Sequence, residues 1–445
     1  MNRIAMMADT KPSLKYAWYA VALLTLANIS SFLDRQILAL LVGPIKRDMQ
    51  LSDTKVSLLM GLSFAMFYTI FGIIIGRLGD RTNRRNIIMI GITIWSVMTS
   101  LCAGVKNYAQ FFLARMGVGV GEATLSPSAY SIITDYFPKR KLGIAMSVFT
   151  MGIFLGSGLA LAIGAGLVAN LPKEGTIYVP LLGNIYHWQK LFLLIGLPGL
   201  LISLLMFTVR EPSRKDVLQK DGQRSSLNLK ESLSIIFKYP KAYLGVCLGT
   251  AFTAFINYGM SAWMPTYFNR TFGWTVPKAG LSYGLILCLG SVSGILWGGW
   301  YADKLKNKGV TNGRVRIGVI AGAAGLCSFF IPLLGNANLV LAAIFIPSFF
   351  LASPMGACTT AIQELMPNQV RALSSAIFLF ILNMIGLGLG PSLVAIFTDY
   401  VFHDEKAIRY SLMALFITGG ALAFLFYLIG YKAYKKAMEH RTVEV

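Results

Sequence analysis

The sequence predicts an all-α integral membrane protein with twelve transmembrane helices in two pseudo-symmetric bundles of six. Three observations support this fold class. Of the 445 residues, 55% are hydrophobic and 13% are charged, and the mean hydropathy is +0.62, so the chain has more apolar surface than a soluble core can bury. Twelve apolar runs of about 20 residues occur along the chain. Motifs of the first six runs recur in the last six.

Each apolar run is long enough to cross about 30 Å of hydrocarbon as a helix that rises about 1.5 Å per residue. The first run lacks a signal-peptide cleavage pattern, so we interpret it as a retained helix. The predicted spans, numbered one to twelve in chain order, are Tyr16–Val42, Val56–Ile75, Ile87–Gly104, Tyr108–Ile133, Leu142–Ala169, Leu191–Val209, Tyr243–Phe268, Gly280–Tyr301, Ile317–Leu334, Leu339–Ile362, Ala372–Thr398 and Tyr410–Tyr431.

The spans divide the chain into five parts. Six spans precede a polar linker that is rich in Lys and Arg, and six follow it. The parts are a cytoplasmic N-terminal segment (1–15), the first bundle (16–209), a cytoplasmic linker (210–241), the second bundle (242–431) and a cytoplasmic tail (432–445).

An internal repeat relates the two bundles. Asp80, in the loop after the second span, corresponds to Asp303 after the eighth at an offset of 223 residues. Asp135 corresponds to Glu364 at an offset of 229 residues. Parallel repeats of this kind predict two halves with a ligand site between them.

The segment between the fifth and sixth spans is longer than the other loops. Residues Thr176 to Tyr186 contain the dipeptide Gly183-Asn184, a frequent turn sequence in hairpins. We therefore expect a small hairpin here, with its turn at Gly183-Asn184, that partly caps the mouth of a central cavity.

The net charge of +21 is distributed unevenly along the chain. Of the 40 Lys and Arg, 28 lie in the terminal segments, the linker and the loops on the same side, 10 lie in the opposite loops, and two lie within spans. The positive-inside rule then places both termini in the cytoplasm, and the compact loops favour a bacterial inner membrane. The basic residues would contact lipid headgroups and not nucleic acid.

The five cysteines lie in predicted spans without metal-ligand spacing, so we expect neither a metal nor a cofactor. The chain also lacks a nucleotide-binding loop and a soluble catalytic domain, which disfavours ATP-driven transport and enzymatic activity. A proton gradient is the energy source we expect.

Four ionisable residues lie within the first bundle: Asp34 and Arg35 in the first span, and Arg115 and Glu122 in the fourth. A charge at the centre of a bilayer costs about 2.5 to 3.5 kcal/mol, so each should have a partner or face a water-filled cavity. Arg115 and Glu122 lie two turns apart on one helix face. From matching depths we expect an Asp34–Arg115 pair. Glu122 would be neutralised less tightly, because Arg35 would have to stretch inward to meet it.

A carboxyl group that is both buried and close to an arginine can change its protonation state near neutral pH, because the two influences shift its pKa in opposite directions. Glu122 is the first candidate for proton coupling and Asp34 the second. Arg35 and Arg115 would exchange partners or bind the anionic group of a substrate. The alternative is a static ion-pair cluster that holds the two helices together.

The spans of the second bundle contain no Asp, Glu, Lys or Arg. They offer Asn257, Tyr258 and Asn383 among many Met and Phe side chains. A cavity that is charged on one side and apolar on the other suits an amphipathic anion. Hydrogen bonding between helices is the alternative role for Asn257 and Asn383.

The loop GRLGDRTNRR after the second span resembles the signature loop of the major facilitator superfamily. The resemblance implies that Asp80 anchors an inner gate by accepting hydrogen bonds from a helix of the other half. Topology alone is the alternative explanation of the arginines. The residues concerned are Gly76, Asp80, Arg81, Arg84, Arg85 and the second-half counterpart Asp303.

Two segments resemble the Spinster family more narrowly: SFLDRQIL in the first span and RMGVGVGEATLSPSAYSIITDYFP in the fourth. The resemblance extends over nearly the whole chain and overlaps the anion:cation symporter family. Together with the buried carboxylates and the two-sided cavity, it predicts a proton-coupled secondary active transporter that moves an amphipathic, lysolipid-like or sphingolipid-like anion by alternating access, and we expect a monomer. The alternatives are an organic-acid or sugar-acid:proton symporter and a non-transporting membrane receptor.

Overall fold

A computed structural model describes residues 13–79, 82–172, 175–180, 182–213, 228–367 and 369–443. Within these ranges eleven helices are long and apolar enough to cross a membrane. The predicted fourth span is present as two shorter helices, Tyr108–Glu122 and Leu125–Tyr136. Pro127 explains the interruption, because it has no N–H to donate to the carbonyl of Ala123.

In the first half the helix boundaries follow the predicted spans and often extend past them. The second span is bent at Gly61, where one helix ends and the next begins. The first span is the helix Leu14–Leu40, and the second is Asp53–Met60 followed by Leu62–Gly79. The third is Arg84–Leu101 followed by the 3-10 turn Cys102–Gly104, and the fourth is Tyr108–Glu122 followed by Leu125–Tyr136. The fifth is Lys139–Ala169, and the sixth is the 3-10 turn His187–Gln189 followed by Lys190–Met206.

In the second half the tenth and eleventh spans are interrupted. The eleventh contains two π-helical stretches, a local widening that is frequent at functional sites. The seventh and eighth spans are the helices Pro240–Phe272 and Val276–Asn307. The ninth is Gly313–Cys327 followed by Ser328–Leu333, and the tenth is Ala337–Ala352 followed by Pro354–Leu365. The eleventh consists of Arg371–Leu382, Asn383–Leu389, Gly390–Ile396 and Phe397–Phe402, and the twelfth is Ile408–Val443. Short helices also occur at Val42–Met49, Leu229–Ile236 and Glu405–Ala407.

The predicted hairpin is present between the fifth and sixth spans, but the predicted turn position is wrong. Strand Thr176–Val179 pairs antiparallel with Gly183–Tyr186. Gly183 is already paired with Val179, so the connection precedes it. The hairpin rests on the first half, where the Lys106 Nζ donates to the carbonyl of Asn184 at 2.6 Å. We call this side of the molecule the hairpin face, and the side where the first helix begins and the last ends the termini face.

The two halves meet where the fifth span packs on the eighth. A Cβ atom added to Gly158 would lie 2.5 Å from the Cβ of Cys288 and 2.8 Å from the carbonyl oxygen of Gly284. Small residues at such a crossing let helix backbones approach closely in a membrane. The second span approaches the eleventh in the same way, since a Cβ on Gly61 would lie 2.5 Å from the carbonyl oxygen of Leu387.

Replacing Gly158 by Val should therefore separate the fifth and eighth spans and destabilise the folded protein by about 1 to 3 kcal/mol, the usual cost of overpacking. Gly166→Val is the matched control, because a Cβ on Gly166 meets open space in the same helix. Thermal unfolding of the purified protein measures both. Equal melting temperatures for the two variants would contradict this account of the interface.

Candidate functional site

Arg35 of the first span forms an ion pair with Glu122 of the fourth. Its Nε and Nη2 atoms each lie 2.6 Å from Glu122 Oε2, and the Ser31 hydroxyl donates to the same oxygen at 2.9 Å. Ser31 and Arg35 are four residues apart, so they lie on one face of the helix and reach the same carboxylate. Glu122 is almost completely buried, whereas the Arg35 side chain keeps 13% of its surface exposed.

The predicted Asp34–Arg115 ion pair is wrong. Arg115 donates instead to two backbone carbonyls, that of Leu59 and that of Asp34, each at 3.4 Å. Glu122, which we expected to be the less tightly neutralised carboxylate, is the one that forms the short ion pair. The depth comparison failed because it ignored direction: neighbouring residues on a helix point about 100° apart. Arg35 points toward Glu122, while the Asp34 carboxylate interacts with Thr99 of the third span.

Several polar atoms in this cluster are buried without a hydrogen bond of normal geometry. They are both carboxylate oxygens of Asp34, the Thr99 hydroxyl, Arg115 Nη2 and Glu122 Oε1. Each buried and unsatisfied polar group costs about 1 to 3 kcal/mol. The cluster therefore holds unused donors and acceptors, which makes it suited to exchanging partners.

A cavity between the halves connects Arg35 with the second bundle. A small space of about 30 Å³ is lined by Arg35, Gln36 and Tyr258. It adjoins a cavity of about 80 Å³, which is lined by Asn257 and Tyr258 and by apolar residues of the second half. Tyr258 lines both spaces, so it lies between Arg35 on one side and Asn257 on the other. Glu122 lies behind Arg35.

Asn383 is placed differently from the other predicted second-half residues. It begins the π-helical stretch Asn383–Leu389 of the eleventh span. In the part of the chain that the structure describes, it does not line either of these two cavities.

On the hairpin face, ion pairs join the two halves. Asp53 of the first half is fully buried and accepts two hydrogen bonds from Arg270 of the second half, at 2.6 and 2.8 Å. Lys46 bridges Asp53 and Glu405 at 2.6 Å each. The backbone N–H and the hydroxyl of Thr54 both donate to Asp399 at 2.7 Å. We call Lys46, Asp53, Arg270 and Glu405 the hairpin-face lock.

Comparisons with known proteins agree with this architecture. Residues 24–391 match the model of a family described as Major Facilitator Superfamily. The chain belongs to the major facilitator superfamily. It is a secondary transporter and not an enzyme, with the twelve-helix fold that the sequence predicted.

The similarity to the Spinster family is also confirmed. The transporter is 26% identical over 437 residues to "Protein spinster homolog 1" of Xenopus tropicalis, which covers 92% of this chain and 79% of that protein. It is 28% identical over 405 residues to an "MFS-type efflux pump" of Mycolicibacterium smegmatis, covering 88% and 86%. Its fold matches the crystal structure of a bacterial homologue of the human lysosomal transporter Spinster in an inward-facing, unoccupied conformation, with a TM-score of 0.78, 24% identity and coverage of 96% and 99%.

The superfamily loop on the termini face is described in part. Asp80 and Arg81 lie outside the described residues, and Gly76 lies in the helix of the second span. Arg84 is buried and pairs with Asp135 at 2.5 Å and with Glu211 at 2.7 Å. The backbone N–H of Arg85 donates to Glu211 at 2.9 Å.

The second half of the transporter repeats this arrangement on the termini face. Arg314 pairs with Glu364 at 3.0 Å, and Glu364 is the predicted counterpart of Asp135. Asp303 is exposed. The contacts described for Arg84 and Arg85 lie within the first bundle and the start of the linker, and none reaches the second bundle, so the inner gate stays a prediction.

Sequence reasoning missed the hairpin-face lock of this transporter. Its residues lie in loops and at helix ends, where charged side chains are common, and no motif distinguishes them. The one available signal is the acidic residue Asp53 directly after Ser52. This pair of residues also marks an ordinary helix start, because the Ser52 hydroxyl accepts a hydrogen bond from the N–H of Lys55.

The lock predicts a conformational response to mutation. Arg270→Gln leaves the buried Asp53 carboxylate with one partner fewer, and breaking a buried pair costs about 3 to 5 kcal/mol, so the hairpin face should open more often. Spin labels are attached to cysteines introduced at Gln50 and His403, in a protein whose Cys288 and Cys327 are replaced by Ser. The distance between the two labels measures the opening of the hairpin face. The control is Arg409→Gln, because Arg409 is an exposed hairpin-face arginine that stacks on its own neighbour Tyr410. Unchanged distances in Arg270→Gln would rule out this role.

Proposed function

We propose that the transporter moves an amphipathic anion, such as a lysolipid or a sphingolipid-like molecule, by alternating access and in exchange with or together with protons. One observation carries the proposal: the cation at the bottom of the central cavity, Arg35, is held by a single buried carboxylate, Glu122. A cation facing the cavity can bind an anionic headgroup, and a carboxylate behind it can take up a proton.

The geometry supports a coupled exchange. While Glu122 is ionised, it holds two nitrogen atoms of Arg35. Protonation removes the charge that Arg35 pairs with, and Arg35 is then free to bind an anion in the cavity. By thermodynamic linkage, an anion that draws Arg35 away makes protonation of Glu122 easier by the same factor.

Asp34 and Arg115 are the second pair of groups in this proposal. The Asp34 carboxylate is buried and lacks a hydrogen bond of normal geometry, and Arg115 contacts its backbone carbonyl. Arg115 would therefore be the cation that stabilises an ionised Asp34 while Arg35 is occupied by substrate.

The second half supports the amphipathic character of the substrate. Its share of the cavity wall includes Leu287, Leu351, Leu382 and Met355, with Asn257 and Tyr258 as hydrogen-bonding groups. An apolar chain would lie against this wall, with its headgroup toward Arg35. A relative named "Sphingosine-1-phosphate transporter SPNS2" from Xenopus tropicalis is 24% identical over 437 residues, which favours this class.

An organic-acid or sugar-acid:proton symporter is the second candidate. One relative, the "Probable L-galactonate transporter" of Escherichia coli, is 24% identical over 315 residues. The arginine and the protonatable carboxylate would serve such a substrate equally well, whereas the apolar second-half wall would not. Uptake of sugar acids and of lysolipids by the same proteoliposomes separates the two candidates.

The proposal also includes an orientation. The termini face carries most of the Lys and Arg, so it would face the cytoplasm of a bacterial cell, with the protein in the inner membrane. The bundles 16–209 and 242–431 of a monomer would then rock around the cavity. The hairpin-face lock closes the outer side, and the arginine-rich loop with Asp80, Arg81 and Asp303 would close the inner side.

Glu122→Gln tests the coupling. Gln resembles the protonated carboxyl, so the variant should keep exchange of substrate across the membrane but lose accumulation driven by a proton gradient. Transport into proteoliposomes with and without a pH gradient is the measurement. Glu231→Gln is the control, because Glu231 is an exposed residue that caps a short helix in the linker. Proton-driven accumulation that survives in Glu122→Gln would show that the pair is a static strut.

A further inference from the structure

A cavity of about 460 Å³ lies on the hairpin face, where the end of the first span, the short helix after it and the end of the seventh span meet. Three basic side chains line it: Lys46 and Arg47 of the helix Val42–Met49, and Arg270 in the last turn of the seventh span. Its volume is within the range of small-molecule sites. Ala39 lines both this cavity and the small space beside Arg35, but the basic residues of the two are different.

Two carboxylates of the hairpin-face lock share the same two cations but differ in burial. Asp53 is fully buried and accepts hydrogen bonds from Arg270 at 2.6 and 2.8 Å and from Lys46 at 2.6 Å. The Glu405 side chain lines the cavity, is 59% exposed, and lies 2.6 Å from Lys46 and 3.1 Å from Arg270. Exposed ion pairs contribute little to stability, so Glu405 can leave the two cations at low cost while Asp53 stays.

The departure of Glu405 would leave one positive charge uncompensated. Lys46 and Arg270 would then share Asp53 alone, whereas Arg47 has its own partner in Asp48 at 2.8 Å. A single vacant charge favours a monoanion, such as a carboxylate, over a dianionic phosphate. Because Lys46 belongs to the first half and Arg270 to the second, an anion that binds both would bridge the halves.

We propose that this cavity is an outer binding site for a small organic carboxylate, which takes the place of Glu405 between Lys46 and Arg270. The apolar part of the ligand lies against Leu40, Leu51 and Pro265 of the cavity wall. The two cations are adjacent only while the hairpin face is closed, so the bound anion holds this face closed. The site goes beyond the proposed function, because neither Arg35 nor Glu122 takes part in it.

Chemical rescue tests the site in the full-length transporter in nanodiscs. Glu405→Ala removes the carboxylate and leaves room for another, so the population with an open hairpin face should rise by about twofold to fivefold, which is what an exposed ion pair contributes. Phenylacetate should reverse this rise, and the neutral phenylacetamide should not. Spin labels on cysteines introduced at Gln50 and Asn338, exposed residues of the two halves, report the opening in a protein whose Cys288 and Cys327 are Ser.

Ligand-observed NMR measures the affinity for phenylacetate directly. Glu405→Ala should bind it about twofold to fivefold more tightly than the wild type, because the competing carboxylate is gone. Lys46→Gln should bind it more weakly, because one of the two cations is lost. Glu439→Ala is the control, since it removes an exposed carboxylate near Lys435 on the termini face. Melting temperatures show whether each variant is folded.

Binding in the central cavity is tested separately with Arg35→Gln/Glu122→Gln, which neutralises the central ion pair. Phenylacetate binding that survives in this double variant and is weakened by Lys46→Gln supports the outer site. Binding that is lost in the double variant but unchanged in Lys46→Gln places the anion in the central cavity and refutes the outer site.

Two other results would also overturn the outer site and leave the proposed transport mechanism intact. One is a rescue by phenylacetamide as complete as that by phenylacetate. The other is an affinity for phenylacetate that Glu405→Ala does not raise. Conversely, an absence of proton-driven transport in the wild type would overturn the proposed function and leave the outer site standing.

Discussion

Ionised side chains in an apolar interior need partners, and this requirement shapes the first half of the transporter. Arg35 and Glu122 pair directly. Arg115 is held by two backbone carbonyls, and Asp34 keeps unsatisfied oxygens. A set of buried charges in which some groups are tightly paired and others are not has several arrangements of similar energy. Exchange among such arrangements is what a coupled transporter requires.

The second span connects this cluster to the interface between the halves. Phe64 contacts Arg35 and Arg115 on one side, and it belongs to the same buried cluster as Leu387 of the second half. Three residues earlier, Gly61 bends the helix and meets the carbonyl of Leu387. A change in the position of Arg35 would therefore alter the contacts of the Phe64 ring, which packs close to the interface between the halves. The π-helical stretch of the eleventh span lies at the same contact.

The hairpin face supplies the opposing constraint. Asp53, Arg270, Lys46 and Glu405 connect the halves through charges, whereas the fifth and eighth spans connect them through small residues. A contact between small residues allows helices to tilt past one another at little cost. The ion pairs are discrete and would have to break for the proposed opening of this face. Together the two kinds of contact would favour two defined states over a continuous range of openings.

The sequence by itself determined the number and order of the spans, the internal repeat, the four buried ionisable residues and the similarity to the Spinster family, because hydropathy, periodicity and local motifs need no knowledge of neighbours. Only the tertiary structure decided which charges pair, because a helix residue's partner depends on the direction of its side chain as well as its depth. The position of the hairpin connection, the aromatic rings around Arg35 and the hairpin-face lock likewise depend on the folded structure, and the rings and the lock join residues from distant parts of the chain.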